Sequence, residues 1–400
     1  MEKVIVLGAG YVALGVVKAL AKEGVPVILL FSEPHDHACH SRFVSERVRI
    51  PNPMRDSDTL FNLLMETKEN WDGALLIPTL DEYVIFVSQN RTELEKRYVF
   101  TVQDWEVTRR IINKNLLYSQ AREIGVPTPR FFLPDSVQFL HERRNEFFYP
   151  CILKPYETHK FDRIYRTKVL MIHDFQELVE RFTDTQQNNL KVMISEIIPG
   201  DDSCLFHYRS YTDSQGNVSA EMCTQKLRQY PTGFGQAAVA RTIPMIPEIR
   251  HLALKLLKSF SYRGESSAEF KLDHRDNQYK LMEINVRPVL PEWHFVTAGI
   301  NFPHITYLDL IKNTRTTPPT YRHEIYWIHN YWQVVHFVES LRSGTLDLRE
   351  FLRPFWKKKV FVVPFLDDPI HFIIETYFTG KRALKSRPSR VLGNRPKGGN

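Results

Sequence analysis

The stretch whose reading decides the fold is 265-ESSAEFKLDHRDNQYKLMEINVRP-288. It reads as two β-like segments joined by a polar turn at 273–278. A hairpin of that length sets Glu269 and Glu283 on one face, because alternate side chains of a strand share a face. Asn285 and Arg287 follow on the same face at steps of two. Two carboxylates and a carboxamide oxygen are hard donors, suited to Mg²⁺ with phosphate oxygens and ill suited to zinc. Arg287 suits a phosphate or a carboxylate. A hairpin with a solvated polar face, where acids are commonplace, explains the same residues, and on spacing alone the two readings stand level.

Toward the N-terminus, CILKP (151–155) is a short strand closed by proline, which leaves Lys154 at a strand end with little freedom to retreat. EIIPG (196–200) supplies a carboxylate at Glu196, extended backbone at Ile197 and Ile198 able to pair with a base edge, and a turn. Asp202 lies just beyond. Lys114 opens a helix expected to reach 124, with Asn113 as cap, Gly125 as stop, and Pro127 and Pro129 preventing continuation. Together these groups suit a purine, a ribose and phosphates. Helical spacing at 174–182 and 247–260, a polar stretch up to Arg166, and β-like runs over 205–285 complete the middle of the chain.

The chain opens MEKVIVLGAGYVALG. A strand at 3–8, a helix at 11–23, and strands at 25–31 and 73–78 make an α/β unit of roughly 100 residues. Its loops lie at the carboxyl ends of parallel strands, and Asp81 is at such an end, suited either to a substrate or to a turn. Gly8, Gly10 and Ala13 satisfy a Gly-x-Gly-x-x-Ala dinucleotide fingerprint, so an NAD-linked oxidoreductase is one alternative. The acid that should grip the ribose is poorly placed, however: the second strand ends Leu30-Phe31-Ser32, and Glu33 comes late, before Pro34. A secretion signal over the first 21 residues is a lesser reading, since Lys18 interrupts the apolar run just before Ala19-Leu20-Ala21.

The order Lys114, Lys154-Pro155, Glu196-x-x-Pro-Gly, Glu269 and Glu283-Ile-Asn-x-Arg resembles the ATP-grasp superfamily, specifically its carboxylate–amine ligase branch, over about residues 1–315. The resemblance implies an α/β (α+β) ATP-grasp fold with a Rossmann-like N-terminal domain that helps bind a substrate, not NAD. It also implies ATP and Mg²⁺. Lys114 and Lys154 resemble the lysines that contact ATP phosphates. Glu196 would accept from the adenine amino group beside the Ile197–Ile198 backbone, and Asp202 would hold the ribose. Glu269, Glu283 and Asn285 match the magnesium ligands, and Arg287 the residue that steadies the reacting carboxylate or acyl phosphate. Lys226, Arg228 and the glycines of YPTGFGQ (230–236) resemble a substrate-shaping strand and loop. One departure is that residues 126–199 contain no glycine, so the Gly-rich loop that closes over phosphates in many relatives is missing. Lys160, Arg163, Arg166 and Lys168 stand in its place. Another is Val286, where proline or threonine is frequent. The implied reaction is ATP-dependent amide or peptide bond formation through an acyl phosphate. A non-catalytic ATP-binding partner protein is a second alternative, and a biotin-dependent carboxylase is disfavoured by the lack of a Met-Lys-Met site.

Four hundred residues exceed one ordinary core. The expected division is a Rossmann-like domain at 1–105, linker helices and a lid at 106–200, a catalytic lobe at 201–318, a helical and strand extension at 319–380, and a disordered basic tail at 381–400. The last 20 residues hold seven Lys or Arg and no acid, matching the whole net charge of +7. A solvated tail is the simplest expectation, with peripheral contact to an anionic membrane, together with RPFWKKKVFVVPF (353–365), as the other. Nucleic acid is not expected. No apolar run approaches the ~20 residues of a membrane helix. Cys39, Cys151, Cys204 and Cys223 are scattered without a CxxC pair, consistent with a reducing cytoplasm. HDHACH (35–40) reads as a polar loop rather than a metal site. The expected partners are small carboxylate and amine substrates, with a polymer or lipid-linked acceptor as a further option.

Overall fold

The computed structural model describes residues 3–385 apart from 34–36, 67–70, 157, 166, 232, 315 and 364–366, and describes only the backbone of 158–160, 162 and 378–385. The last 15 residues of the basic tail, together with His35, Arg166 and the Lys160 side chain, therefore lie outside the described residues.

Three sheets organise the chain. The first is parallel, with strands β1 (Val4–Leu7), β2 (Val27–Phe31), β3 (Glu46–Arg49) and β4 (Leu75–Pro78) in the order β3-β2-β1-β4. Every residue of β1 and β4 is buried, which is why these strands read as unbroken apolar runs. The helix Tyr11–Ala21 follows the turn at Gly8, whose φ of 92° and close approach to Thr79 leave no room for a side chain. Packing of the turn against β4 is thus sufficient reason for this glycine.

The second sheet is antiparallel, built from β5 (Phe131–Phe132), β6 (Cys151–Pro155), β7 (Leu170–Ile172) and β8 (Val192–Glu196) in the order β5-β8-β6-β7. The supposed polar stretch after β6 contains a helix, Thr158–Tyr165, whose Phe161 is fully buried. Phe161, Ile164 and Tyr165 have helical spacing, but the charged residues among them mask it.

The third sheet has seven strands. It comprises β9 (Leu205–Thr212), β10 (Val218–Tyr230), β11 (Gln236–Ile243), β12 (Gly264–Asp273), β13 (Gln278–Asn285), β14 (Tyr326–Ile328) and β15 (Lys359–Phe361). Their order is β13-β12-β9-β10-β11-β14-β15. The boundary placed near 319 does not interrupt this sheet, because β14 pairs with β11 and β15 with β14. The C-terminal extension is thus built onto the same sheet as β9–β13.

Asn113 caps the helix Lys114–Glu123 by accepting from the amides of Asn115 and Leu116. That helix packs on β13 within a core shared with the first sheet, where Leu7 and Ile28 join Tyr118, Phe270 and Leu281. All three sheets therefore meet around the start of this helix and the hairpin β12–β13.

Candidate active site

The β12–β13 register places Glu269 directly opposite Glu283, and Asn285 opposite Ser267. Like charges facing each other across a ladder repel, so the pair persists only where cations surround it. Several elements provide them. Lys226 on β10 meets Glu269 Oε2 at 2.7 Å, and His207 Nε2 on β9 reaches the same oxygen at 3.0 Å. Burial alone would push the Glu269 carboxyl up, but Lys226 and His207 hold it well below the usual carboxylate range. For Glu283, burial and Glu269 push upward, and Lys114, Lys168 and Lys154 together hold the group down and ionised. The same burial lowers Lys114 and Lys154, with Glu283 opposing it in both.

Lys154 donates to the Tyr118 hydroxyl at 3.0 Å and to the Met282 carbonyl at 3.4 Å, and the Tyr118 hydroxyl donates to the same carbonyl at 3.0 Å. One side chain thus ties the second sheet to the helix Lys114–Glu123 and to β13. Arg287 donates from Nε to Asp81 Oδ1 at 2.6 Å. Asp81 opens the helix Asp81–Gln89 beyond β4, so the first domain reaches the acid pair through this bond. Burial would lower the Arg287 guanidinium, but Asp81 and Glu283 keep it above its ordinary value.

Other expected site residues are held in different company. Glu196 ends β8, where its Oε1 accepts from the Arg130 amide at 2.8 Å and its Oε2 from Arg275 at 3.1 Å. Arg275, in the β12–β13 turn, also grips Asp273, as does Lys280. The carboxylate of Glu196 thus anchors the hairpin tip. Beyond it, Ile197 and the buried Ile198 make no backbone hydrogen bond to other described residues. Asp202 accepts from both the amide and the side chain of Gln229, at 2.7 Å each. Arg228 bonds to Gln333 and to the carbonyls of Glu350 and Phe351, all in the extension. Lys168 is exposed and acts on Glu283 through its charge. His37 pairs with Glu375 at 2.8 Å and stacks on Tyr11, so it belongs to a seam between the first domain and the C-terminal helix.

His207, Tyr118 and Arg275 went unnoticed in the sequence. The signal for His207 is its strand, but which strand neighbours β12 is not encoded locally. His207 and its partner Glu269 are 62 positions apart in the sequence.

The donor set fits a hard divalent cation. Both cationic contacts on Glu269 fall on Oε2, and Asn285 uses its amide nitrogen, not its oxygen, toward Glu283. Among the described residues no group of three or more His, Cys, Asp or Glu forms a metal cage. Two carboxylates and an amide oxygen furnish part of a Mg²⁺ shell, which phosphate oxygens and water normally complete.

No protein-family model matches the chain. It is 24% identical over 299 residues to the D-aspartate ligase of Enterococcus faecium, covering 70% of each chain. Its fold resembles the L-amino acid ligase from Bacillus licheniformis with a TM-score of 0.61 and 16% identity, over 80% of this chain and 75% of that one. It also resembles the biotin carboxylase domain of the 2-oxoglutarate carboxylase from Hydrogenobacter thermophilus, solved with MgADP, with a TM-score of 0.60 and 19% identity over 82% and 74% of the two chains. The fold is the ATP-grasp fold. In sequence the chain is similar to a ligase, and in fold to enzymes of the carboxylate–amine ligase branch. The comparisons lend no support to an NAD-linked reading of the Gly8 turn or to a non-catalytic partner role.

Proposed function

We propose that the chain joins a carboxylate to an amine at the expense of ATP, through an acyl phosphate, with an amino acid as the activated carboxylate. The observation that carries this reading is the opposed pair Glu269 and Glu283, ringed by Lys114, Lys154 and Lys226, with Arg287 held beside it by Asp81. Such a site concentrates positive charge where phosphates would lie, while the acids retain oxygens for a cation. Glu269, Glu283 and Asn285 would hold Mg²⁺, which neutralises phosphate charge when bound. Lys114, Lys154 and Lys168 would hold phosphate oxygens. The extended backbone at Ile197 and Ile198 would take the adenine edge, with Glu196 and Asp202 fixing the segments around it.

In the first step a carboxylate oxygen attacks the γ-phosphorus, and the bond to the ADP oxygen breaks. In the second the amine nitrogen attacks the acyl carbon, phosphate leaves, and the amine loses a proton. Arg287 steadies the carboxylate in the first step and the tetrahedral oxyanion in the second. Lys226 and Arg228 border the substrate side of the large sheet. The similarity to a D-aspartate ligase makes D- and L-aspartate the first acids to try. A polymer or lipid-linked amine, used in the cytoplasm where ATP is supplied, fits the same chemistry.

The test is incubation with Mg·ATP, hydroxylamine and a panel of amino acids. ADP together with a hydroxamate for one class of acid is the expected result. AMP in place of ADP would mean adenylation and would overturn the mechanism.

A further inference from the structure

The C-terminal extension has an inverted polarity that the ligase chemistry does not explain. In the helix Asn330–Ser343 the fully buried residue is Gln333, while Val334 and Leu341 face outward. In the helix Pro369–Lys385, His371 and Glu375 are buried against the first domain, and Ile370, Ile373 and Tyr377 face outward. These five outward side chains are between 60% and 66% exposed. The two helices touch where the Tyr331 hydroxyl meets Thr376 at 3.0 Å. Of the eleven large apolar side chains exposed among the described residues, eight lie between Val334 and Tyr377, so the exposure is concentrated on one part of the chain. Isolated exposed apolar residues need no explanation, but aligned apolar faces with polar residues turned inward do.

Charge identifies the occupant. Trp356 is 81% exposed and is followed by Lys357, Lys358 and Lys359, all exposed. The last 20 residues, which begin within the helix Pro369–Lys385, carry seven Lys or Arg, as many as the net charge of the entire chain. Two copies meeting symmetrically on this helix would bring two such cationic segments together. Exposed aliphatic helix faces on the same part of the chain as an exposed indole and three exposed lysines instead match an interface of acyl chains beneath anionic headgroups. We propose that the outward faces of the helices Asn330–Ser343 and Pro369–Lys385 dock on an anionic lipid surface, with Trp356 and Lys357–Lys359 at headgroup level. The assignment extends membrane contact from the basic tail to a folded surface, and it does not depend on the ligase reading.

The test is flotation of the full-length protein with vesicles of phosphatidylcholine alone and of phosphatidylcholine mixed with phosphatidylglycerol. Binding to the anionic vesicles should be at least about tenfold stronger and should fall as salt is raised. The double variant Ile373→Ser/Tyr377→Ser should lose this binding, with its melting temperature and ADP release unchanged. Substituting Lys357, Lys358 and Lys359 by serine should weaken it several-fold. Equal affinity for both vesicle types overturns the proposal, as does an absence of flotation. So does a dimer in light scattering that the apolar double variant converts to a monomer without any vesicle binding, which would assign the face to a second copy of the chain.

Discussion

Two pairs of acids share strand β12 and its surroundings, and they are treated in opposite ways. Glu269 and Glu283 face each other among Lys226, His207, Lys114, Lys154 and Lys168. Glu265, four residues earlier on β12, and Glu292 share a single cation, the fully buried Arg209, which meets Glu292 at 2.5 Å and also contacts Glu265. In the first pair cations exceed acids, and the carboxyls are held down and ionised. In the second, burial pushes Glu292 up despite Arg209. Phe295 and Phe302 cover the guanidinium, with ring centres 4.3 and 4.6 Å away. A sealed set with one cation is a structural joint. On the function proposed above, an acid pair with surplus cations is a place for a charged ligand.

The contrast is most exposed to Arg209→Leu. Leaving two buried carboxylates without their cation should cost about 3–5 kcal/mol of stability in urea unfolding. A variant that stays stable and loses only ADP release would make the joint part of the site. Glu283→Gln should lower ADP release about a hundredfold or more with little loss of stability, as measured in a coupled assay. Full turnover in that variant would dissolve the distinction between the two pairs.

A third buried set sharpens the comparison through pH. His294 and His329 are fully buried, and burial lowers them to about 4 and about 3, with His37 reinforcing the second and Glu375 opposing it. Below the ordinary histidine value of about 6.5, the unfolded chain takes up protons that the folded chain refuses. Stability is therefore complete above that value and falls as the pH drops, by about 1.4 kcal/mol per histidine one pH unit lower. Glu375, held down to about 2 chiefly by His37 against its own burial, contributes nothing in this window and loses its share only below about 4.5. Melting curves at successive pH values should show the decline, and His329→Asn should flatten it. Asp81→Asn should have the smallest effect: about a tenfold lower kcat with the KM for ATP unchanged, because it loosens Arg287 without touching a lysine proposed to hold phosphate. A raised KM for ATP instead would place Arg287 on the nucleotide.

Much of this contrast was legible from local pattern. The hairpin β12–β13, the capped helix at Lys114 and the strand ending at Lys154 all declared themselves, because turn length, caps and proline act within a few residues. The Arg209 joint did not. Glu265 and Glu269 look alike in the sequence, and what separates them is the neighbouring strand β9, which presents Arg209 two residues from His207. Strand order is set by packing across long stretches of chain, and no short pattern carries it. The addition of β14 and β15 to the seven-stranded sheet was hidden for the same reason. The roles of Arg228, Asp202 and the Glu196 carboxylate as ties between elements depend on partners that spacing alone does not reveal.

The tie between Glu196 and Arg275 constrains any redesign of this protein. The segment leaving β8 and the tip of the hairpin that bears both acids are fastened together, through Asp273 and Lys280 as well as Arg275. A graft that replaces residues 192–200 would have to bring a matching tip at 273–280. Otherwise the transplanted segment would arrive with a buried carboxylate stripped of its guanidinium partner, and the hairpin would lose its tether. For an engineer, these two stretches are a single cassette.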